Sequence, residues 1–239
     1  YMLVLLILGC TELVGQDFTR QDTLRGTVTA ERQWWDVQHY NISVEPDFAS
    51  KSIRGANVIT FKVLAAGTTM QIDLQEPMQI DSALLQGKPV SYTREGNVYH
   101  IMVAAPFRAG TEESIRLVFS GTPKEAQNPP WDGGWIWKLD AKNRPWMSVA
   151  CQGLGASVWY PCKDHQSDEP DKGAILSMKV DDNLVAVGNG RQTGKISHKN
   201  GKSTYSWSVS NPINSYNIIP YIGNYVHWGE TYNGESGKL

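Results

Sequence analysis

The sequence lacks an excess of charge of one sign: its 239 residues carry a formal net charge of −2. Binding of nucleic acid depends on clustered positive charge, so the composition gives no electrostatic case for a nucleic-acid partner. The sequence also lacks internal repeats of fixed period, low-complexity tracts and long segments with the periodicity of an amphipathic helix. What remains is a chain long enough for one sizeable domain in which helices play a small part.

Long hydrophobic runs are also scarce, and the exception is the apolar stretch from Met2 to Gly9. It is too short to cross a bilayer as a helix, and its position is typical of the hydrophobic region of a signal peptide. Residues 1–16 are therefore predicted to be a signal peptide or lipoprotein signal of an exported protein, found in the periplasm or cell envelope of a bacterium. The segment ending at Cys10 resembles a lipobox, which predicts a membrane anchor through a lipid on that cysteine. Cleavage near Gly15 and a buried N-terminal strand are the alternatives.

Glycine, proline and tryptophan are plentiful, at 22, 12 and 9 residues, and short segments rich in β-branched and aromatic residues follow one another between turn signals. This pattern predicts an all-β domain over residues 34–239, built as a curved, saddle-like β-sandwich of largely antiparallel strands. Two Asn-Gly pairs, at 189–190 and 200–201, predict hairpins between strands. The polar residues 17–33 lack sustained periodicity and are predicted to be an extended leader.

Side chains that can react or bind ligands are most concentrated in one block, from Trp146 to Pro170. It contains two of the three cysteines, a histidine and a cluster of carboxylates. Its first residues have the composition of a strand. Gln152 follows that strand and precedes a glycine-permitted turn. The end of the strand would therefore hold the Gln152 amide in a fixed, projecting position. A neutral amide with one acceptor oxygen and two N–H donors suits an ammonium or a peptide group. The alternative is that Gln152 only hydrogen-bonds to a nearby backbone group.

The two cysteines of the block, Cys151 and Cys162, lie close to His165 in the sequence, so a metal cluster and a disulfide are both alternatives. They lack C-x-x-C spacing, and the favoured interpretation is two thiols packed as small hydrophobic side chains. The carboxylates of the block are hard oxygen ligands suited to calcium, but the favoured interpretation is that they accept hydrogen bonds from backbone N–H groups. No pair of them stands out as the acid and nucleophile of a glycosidase. The carboxylates considered are Asp164, Asp168 and Glu169 of the block, together with Asp171 just after it.

The run from Gln152 to Cys162, followed by Asp164 and then Asp168-Glu169-Pro170, resembles the Q-x-x-x-A-R-x-x-F-P-C-x-D-E-P signature of the aminopeptidase N family of zinc metallopeptidases, the gluzincins. That signature belongs to the N-terminal domain of the family. This sequence has Ala150 where the family often has a second glutamine and Ser157 where it has an arginine. Three extra residues also precede the Asp-Glu-Pro triplet, so residue preference is not carried over.

A second element supports the same resemblance. Gly134-Trp135-Ile136-Trp137 stands in the place of the family's G-x-Y element, and the sequence is most similar to bacterial members that carry a PPWDGG loop, here Pro129 to Gly134. The resemblance extends over roughly Trp34 to Leu239, which is nearly all of the predicted mature chain.

The resemblance implies that Gln152 binds the free α-amino group of a peptide substrate, with Gly153 beside it and with Trp135 and Trp137 at the substrate entrance.

Zinc enzymes of this family carry H-E-x-x-H on a helix, which brings two imidazoles to one metal ion. All five histidines here lack that context, and no G-x-M-E-N motif is present. The resemblance therefore implies that the zinc ligands and a thermolysin-like catalytic domain lie beyond Leu239. This chain alone is expected to bind no metal and to be inactive, while recognising peptides for an aminopeptidase that removes their N-terminal residues.

A rival hypothesis starts from three tryptophans near the block, Trp131, Trp135 and Trp137. Aromatic rings stack on sugars, so the alternative function is an exported, non-catalytic β-sandwich that binds carbohydrate or protein through Trp-rich loops. Tryptophans also bury large areas of apolar surface. The competing structural interpretation is therefore that these three close the end of the sandwich or pack against a neighbouring domain.

Overall fold

A computed structural model describes residues 17–103, 107–235 and 237–238. The predicted signal peptide and the candidate lipidation site Cys10 lie outside the described residues. No helix within these ranges is long and apolar enough to cross a membrane.

The helices are α1 (Arg20–Gly26) and α2 (Ala30–Gln33). The strands are β1 (Trp35–Asp47), β2 (Ser52–Val63), β3 (Thr69–Asp73), β4 (Gln79–Leu85), β5 (Lys88–Pro89), β6 (Tyr92–Glu95), β7 (Val98–Met102), β8 (Glu112–Gly121), β9 (Gly134–Leu139), β10 (Pro145–Ala150), β11 (Ala174–Asp181), β12 (Val185–Val187), β13 (Arg191–His198), β14 (Lys202–Val209), β15 (Tyr221–Gly223), β16 (Asn233–Gly234) and β17 (Gly237–Lys238).

The largest sheet has eight strands in the order β13-β14-β11-β1-β2-β8-β4-β5. Every neighbouring pair in it is antiparallel except β1 and β11, which are parallel. The smaller sheets are β12-β15-β10-β9, β3-β7-β6 and β16-β17, and their pairs are antiparallel. The predicted all-β sandwich of largely antiparallel strands is therefore confirmed.

Strand β1 shows how the sequence pattern produces the core. Alternate side chains of a strand point to the same face of the sheet, and Tyr40, Ile42 and Val44 are buried in this way while the residues between them are exposed. The register of β1 on β2 shifts between Val37 and His39. This irregularity moves the buried positions from odd to even numbers, so the apolar face stays on the core along the whole strand.

Residues 17–33 contain the two short helices and contact the domain, so the prediction that they form an extended leader is corrected. Helix α1 begins with a capping box: the Thr19 hydroxyl accepts from the N–H of Asp22 at 3.2 Å, and the Asp22 carboxylate accepts from the N–H of Thr19 at 2.9 Å. Leu24 is the buried residue of this helix. A helix of 7 residues is too short to show hydrophobic periodicity. The Thr-x-x-Asp pattern was the sequence signal for its start.

The side chain of Arg32 anchors this segment to the domain. It is completely buried, and its Nη2 donates to the carboxylate of Asp73, on β3, at 2.6 Å. Its Nη1 donates to the backbone carbonyls of Leu24, Arg25 and Thr27 at 2.9, 3.1 and 2.8 Å. Burial raises the pKa of the Asp73 carboxyl, and the Arg32 guanidinium opposes that shift. One buried cation therefore joins the end of α1 to the sheet.

Candidate functional site

A groove of about 1360 Å³ lies beside β9 and β10, and α1 contributes to its wall. We refer to it as the groove. Its lining comes from both strands, from the turn after β10, from the segment after Cys162 and from β15 with the residues just before it. Representative lining residues are Arg25, Ile136, Ser148, Gln152, His165 and Tyr221.

Strand β10 brings Gln152 to the groove. Within the strand, Met147 packs in the core, Trp146 and Ser148 line the groove, and Val149 contributes to both. The strand ends two residues before Gln152, as the sequence predicts. The Gln152 side chain is exposed in the groove and makes no hydrogen bond to the described residues. The alternative in which a backbone group occupies this amide is therefore not observed, and both ends of the amide can bind a ligand.

The turn that follows β10 is closed by its own backbone. The N–H groups of Leu154 and Gly155 both donate to the carbonyl of Cys151, at 3.1 and 2.8 Å. Gly153 and Gly155 have φ angles of 69° and 82°, in the region that favours glycine. A Cβ on Gly155 would lie 2.3 Å from a carboxylate oxygen of Asp164. Glycine is therefore required where that carboxylate approaches the turn.

The Asp164 carboxylate orders the next turn of the chain. It accepts hydrogen bonds from the N–H groups of Ala156 and Ser157 at 3.2 and 3.0 Å and from the Ser157 hydroxyl at 2.7 Å. The N–H of Asp164 itself donates to the buried Asp73 carboxylate at 2.9 Å. This confirms the predicted backbone-capping role for Asp164. Ser157, which stands where the family signature has arginine, is buried against this carboxylate.

Asp168 caps a second backbone group. It accepts from the N–H of Val37 at 3.1 Å and forms a buried ion pair with Lys163. The Lys163 ammonium also donates to the Trp35 carbonyl at 2.5 Å and lies 4.5 Å from the centre of the Trp35 ring. Burial lowers the pKa of Lys163, and the Asp168 carboxylate opposes that shift. Both groups are bonded within the fold, so they hold the block against β1.

Cys151 and Cys162 are free thiols, and the disulfide alternative is wrong. Cys162 is fully buried, while burial raises the pKa of the half-buried Cys151 to about 12. A thiol with this pKa stays protonated at neutral pH, so it is not a ready nucleophile. The favoured interpretation as small hydrophobic side chains is confirmed. Among the described residues, no group of three or more His, Cys, Asp or Glu side chains is placed to hold a metal ion.

Trp135 and Trp137 lie in the core, and not at a substrate entrance as predicted from the sequence. Their exposed fractions are 0% and 4%, and their rings stack in the core with centroids 5.3 Å apart. Two residues separated by one position share a face of a strand, and here that face is buried. Ile136 and Lys138, on the other face of β9, line the groove instead. Trp131 is 77% exposed, so the three tryptophans form no common sugar-binding platform.

Four groove residues were missed by the sequence analysis because it treated residues 17–33 as a leader. Phe18, Asp22, Arg25 and Gly26 line the groove from α1 and the residue before its cap. The capping box at the start of α1 is the signal that would have predicted an ordered helix there. Nothing in the sequence would have predicted that this helix lies against the turn after β10.

Comparisons with known proteins support the fold. No protein-family model and no curated protein matches the sequence at a significant level. Among solved structures, an M1 zinc metallopeptidase from Deinococcus radiodurans matches with a TM-score of 0.66 and 20% sequence identity, over 81% of this chain and 43% of that chain. The chain therefore spans less than half the length of this enzyme.

Two further structures of the same kind match equally well. A variant of the Deinococcus radiodurans enzyme bound to a Tyr-Ser-Ala substrate has a TM-score of 0.67 and 20% identity, over 81% of this chain and 43% of that chain. A two-domain M1 zinc metallopeptidase variant bound to L-tryptophan has a TM-score of 0.66 and 21% identity, over 80% of this chain and 43% of that chain. The chain thus has the fold of part of an M1 zinc metallopeptidase, which is the fold that the signature around Gln152 implies.

Proposed function

We propose that this chain is the N-terminal substrate-recognition domain of an exported zinc-dependent aminopeptidase, which hydrolyses N-terminal residues from peptides. The observation that carries the proposal is the unpaired amide of Gln152, exposed in a groove at the end of β10. It lies in the signature that resembles the aminopeptidase N family, on a fold shared with M1 zinc metallopeptidases. One of those enzymes is described with a bound Tyr-Ser-Ala substrate.

The part of this chain that the structure describes does not fit a zinc site. The sequence has no H-E-x-x-H, and the described residues offer no suitable group of metal ligands. In the proposed enzyme the zinc would therefore be held by a thermolysin-like domain that follows, and hydrolysis would take place there. The part of this chain is to bind and orient the peptide, and alone it is expected to be inactive.

The proposed role of Gln152 follows from the chemistry of its amide. A peptide with a free N-terminus presents an ammonium group with N–H donors, and the Gln152 oxygen can accept one of them. A hydrogen bond with one charged partner is stronger than a neutral one. The Gln152 NH₂ group can at the same time donate to a peptide carbonyl. An N-acetylated peptide has no ammonium group, so it would lose the charged contact that marks the first residue.

Replacing Gln152 with alanine is expected to lower kcat/KM for an aminoacyl p-nitroanilide about tenfold or more in the complete enzyme. The lost hydrogen bond to a charged group is worth roughly 1.5–3 kcal/mol. Gln152→Glu keeps the acceptor oxygens and is expected to stay within about threefold of wild type. Gln192 is an exposed glutamine on the edge strand β13, away from the groove. Gln192→Ala is therefore the matched control and should leave kcat/KM unchanged. A fully active, stable Gln152→Ala enzyme would contradict the proposed role.

The export in this proposal rests on the sequence alone, on the apolar run from Met2 to Gly9 and the cysteine at position 10. We expect the mature protein in the cell envelope without residues 1–16, or with a lipid on Cys10. N-terminal sequencing and mass spectrometry of protein recovered from periplasmic and membrane fractions would test this. Recovery of the uncleaved chain from the cytoplasm would refute export.

A further inference from the structure

Helix α1 lies beside the turn that carries Gln152. Phe18, Asp22 and Arg25 line the groove that this turn also lines. Arg25 is in the last turn of the helix, and its Nη2 donates to the carbonyl of Gly153 at 2.6 Å. A guanidinium of the N-terminal helix is thus bonded directly to the residue after the proposed ammonium-binding glutamine.

The Gly153 carbonyl is a point where the turn would otherwise be loosely held. The backbone bonds that close the turn run from Leu154 and Gly155 to Cys151, and they leave the Gln152 and Gly153 peptide groups outside. Gly153 is exposed, has a φ of 69°, and, apart from its two chain neighbours, has no residue within 4 Å of where a Cβ would stand. Among the described residues, the Arg25 side chain is the one hydrogen-bond donor to the Gly153 carbonyl. This bond therefore restricts the backbone next to Gln152.

The backbone of Arg25 is itself held in place by hydrogen bonds. The buried Arg32 guanidinium donates to the backbone carbonyl of Arg25 itself, at 3.1 Å, and to those of Leu24 and Thr27. Arg32 is paired with Asp73, which also accepts from the N–H of Asp164. A residue positions its neighbour well only when it is itself held in place. The backbone of Arg25 meets that condition.

We propose that Arg25 is a positioning residue: by binding the Gly153 carbonyl it fixes the turn that holds Gln152 in the groove, and so sets the affinity for the N-terminus of a peptide. The inference rests on the proposed function, because it acts through Gln152. A binding group that is already held in its bound geometry loses less conformational freedom when the ligand arrives. Removing the Arg25 contact should therefore weaken substrate binding rather than the chemical step.

The test is Arg25→Ala in the complete enzyme. We expect kcat/KM to fall roughly three- to tenfold, which corresponds to the loss of about one hydrogen bond, with most of the change in KM. Arg25→Lys keeps a cationic donor and should recover much of the loss. Arg20→Ala is the matched control, since Arg20 is on the same helix, is itself exposed where it pairs with Glu95, and does not line the groove. Its kcat/KM should equal that of wild type.

Hydrogen exchange gives a readout that does not depend on activity. In Arg25→Ala, the amides of Leu154 and Gly155 should exchange several-fold faster than in wild type, whereas Arg20→Ala should leave them unchanged. Unchanged exchange at these two amides in Arg25→Ala would overturn the inference, because the turn would then not depend on Arg25. Faster exchange with unaltered kcat/KM would also overturn it, since the contact would then be structural only.

A double-mutant cycle separates this inference from the proposed function. If Arg25 acts through Gln152, then Arg25→Ala should have little further effect on KM in the Gln152→Ala background. Independent, additive losses would overturn the positioning role and leave the role of Gln152 intact. If Gln152→Ala has no effect by itself, the proposed function fails first, whatever Arg25→Ala does.

Discussion

Replacing Arg32 with alanine is expected to lower the free energy of unfolding by about 3–5 kcal/mol, since removing one partner of a buried ion pair leaves the other charge uncompensated. The remaining Asp73 carboxylate is nearly inaccessible, and burial alone disfavours its charge. The backbone carbonyls of Leu24, Arg25 and Thr27 lose their donor in the same substitution. Urea denaturation of wild type and Arg32→Ala, followed by tryptophan fluorescence, measures the difference.

The control for this experiment is an exposed ion pair. Arg54 pairs with Glu45 at 3.0 Å, but its side chain is 72% exposed, and such pairs contribute little to stability. Arg54→Ala should therefore change the midpoint of denaturation only slightly. If Arg32→Ala behaved like Arg54→Ala, the segment containing α1 and α2 would not be anchored by its buried cation. The proposed positioning role of Arg25 would then also lose its support, because the backbone of Arg25 would not be held in place by Arg32.

Replacing Trp135 with alanine is expected to cost about 3–5 kcal/mol of unfolding free energy, the range typical of Trp→Ala substitutions in a core. Trp135 is completely buried between the stacked ring of Trp137 and the edge-on ring of Trp159, whose centroid is 5.9 Å away. Alanine would leave a cavity in the centre of this aromatic cluster. The exposed Trp131 provides the control, and Trp131→Ala should shift the midpoint of thermal unfolding by little.

A milder substitution separates a core role from a substrate-binding role. The indole N–H of Trp135 is buried without a hydrogen-bond partner among the described residues. Trp135→Phe removes this unpaired donor and keeps most of the ring volume, so we expect a smaller loss of stability than in Trp135→Ala. Because the side chain does not line the groove, kcat/KM of the complete enzyme should stay near the wild-type value. A selective fall in kcat/KM in a stable Trp135→Phe protein would return Trp135 to the site.

The two Asn-Gly pairs show what a local signal can predict. The pair at 200–201 lies in the turn between β13 and β14, so the predicted hairpin is confirmed there, although its loop spans residues 199–201 rather than the Asn-Gly pair alone; Gly201 has a φ of 75°. The pair at 189–190 also has a positive φ at its glycine, 84° at Gly190. It joins β12 to β13, which lie in different sheets, so the predicted hairpin there is wrong. The dipeptide favours a positive φ but does not choose the partner of the next strand.

The same limit applies to the site. Composition near Gln152 predicted a strand followed by a glycine turn, because both depend on neighbouring residues, and β10 with its turn confirms this. Alternation in Trp135-Ile136-Trp137 indicates that the tryptophans share a face, but which face is buried depends on the second layer of the sandwich. The contact between Arg25 and Gly153 joins residues far apart in the sequence. Only the folded topology brings them together.

The parallel pairing of β1 with β11 has a consequence for how the chain reaches its native state. Tyr40 is aligned with Ala174 in this pair, and β1 and β11 both lie in the interior of the large sheet. During synthesis β1 can pair with β2 early, but its other edge stays open until most of the chain has emerged. Contacts between residues so distant in sequence slow folding, and an open strand edge is prone to associate with other chains. Assembly of this domain is therefore expected to be slow and to benefit from a chaperone that covers that edge.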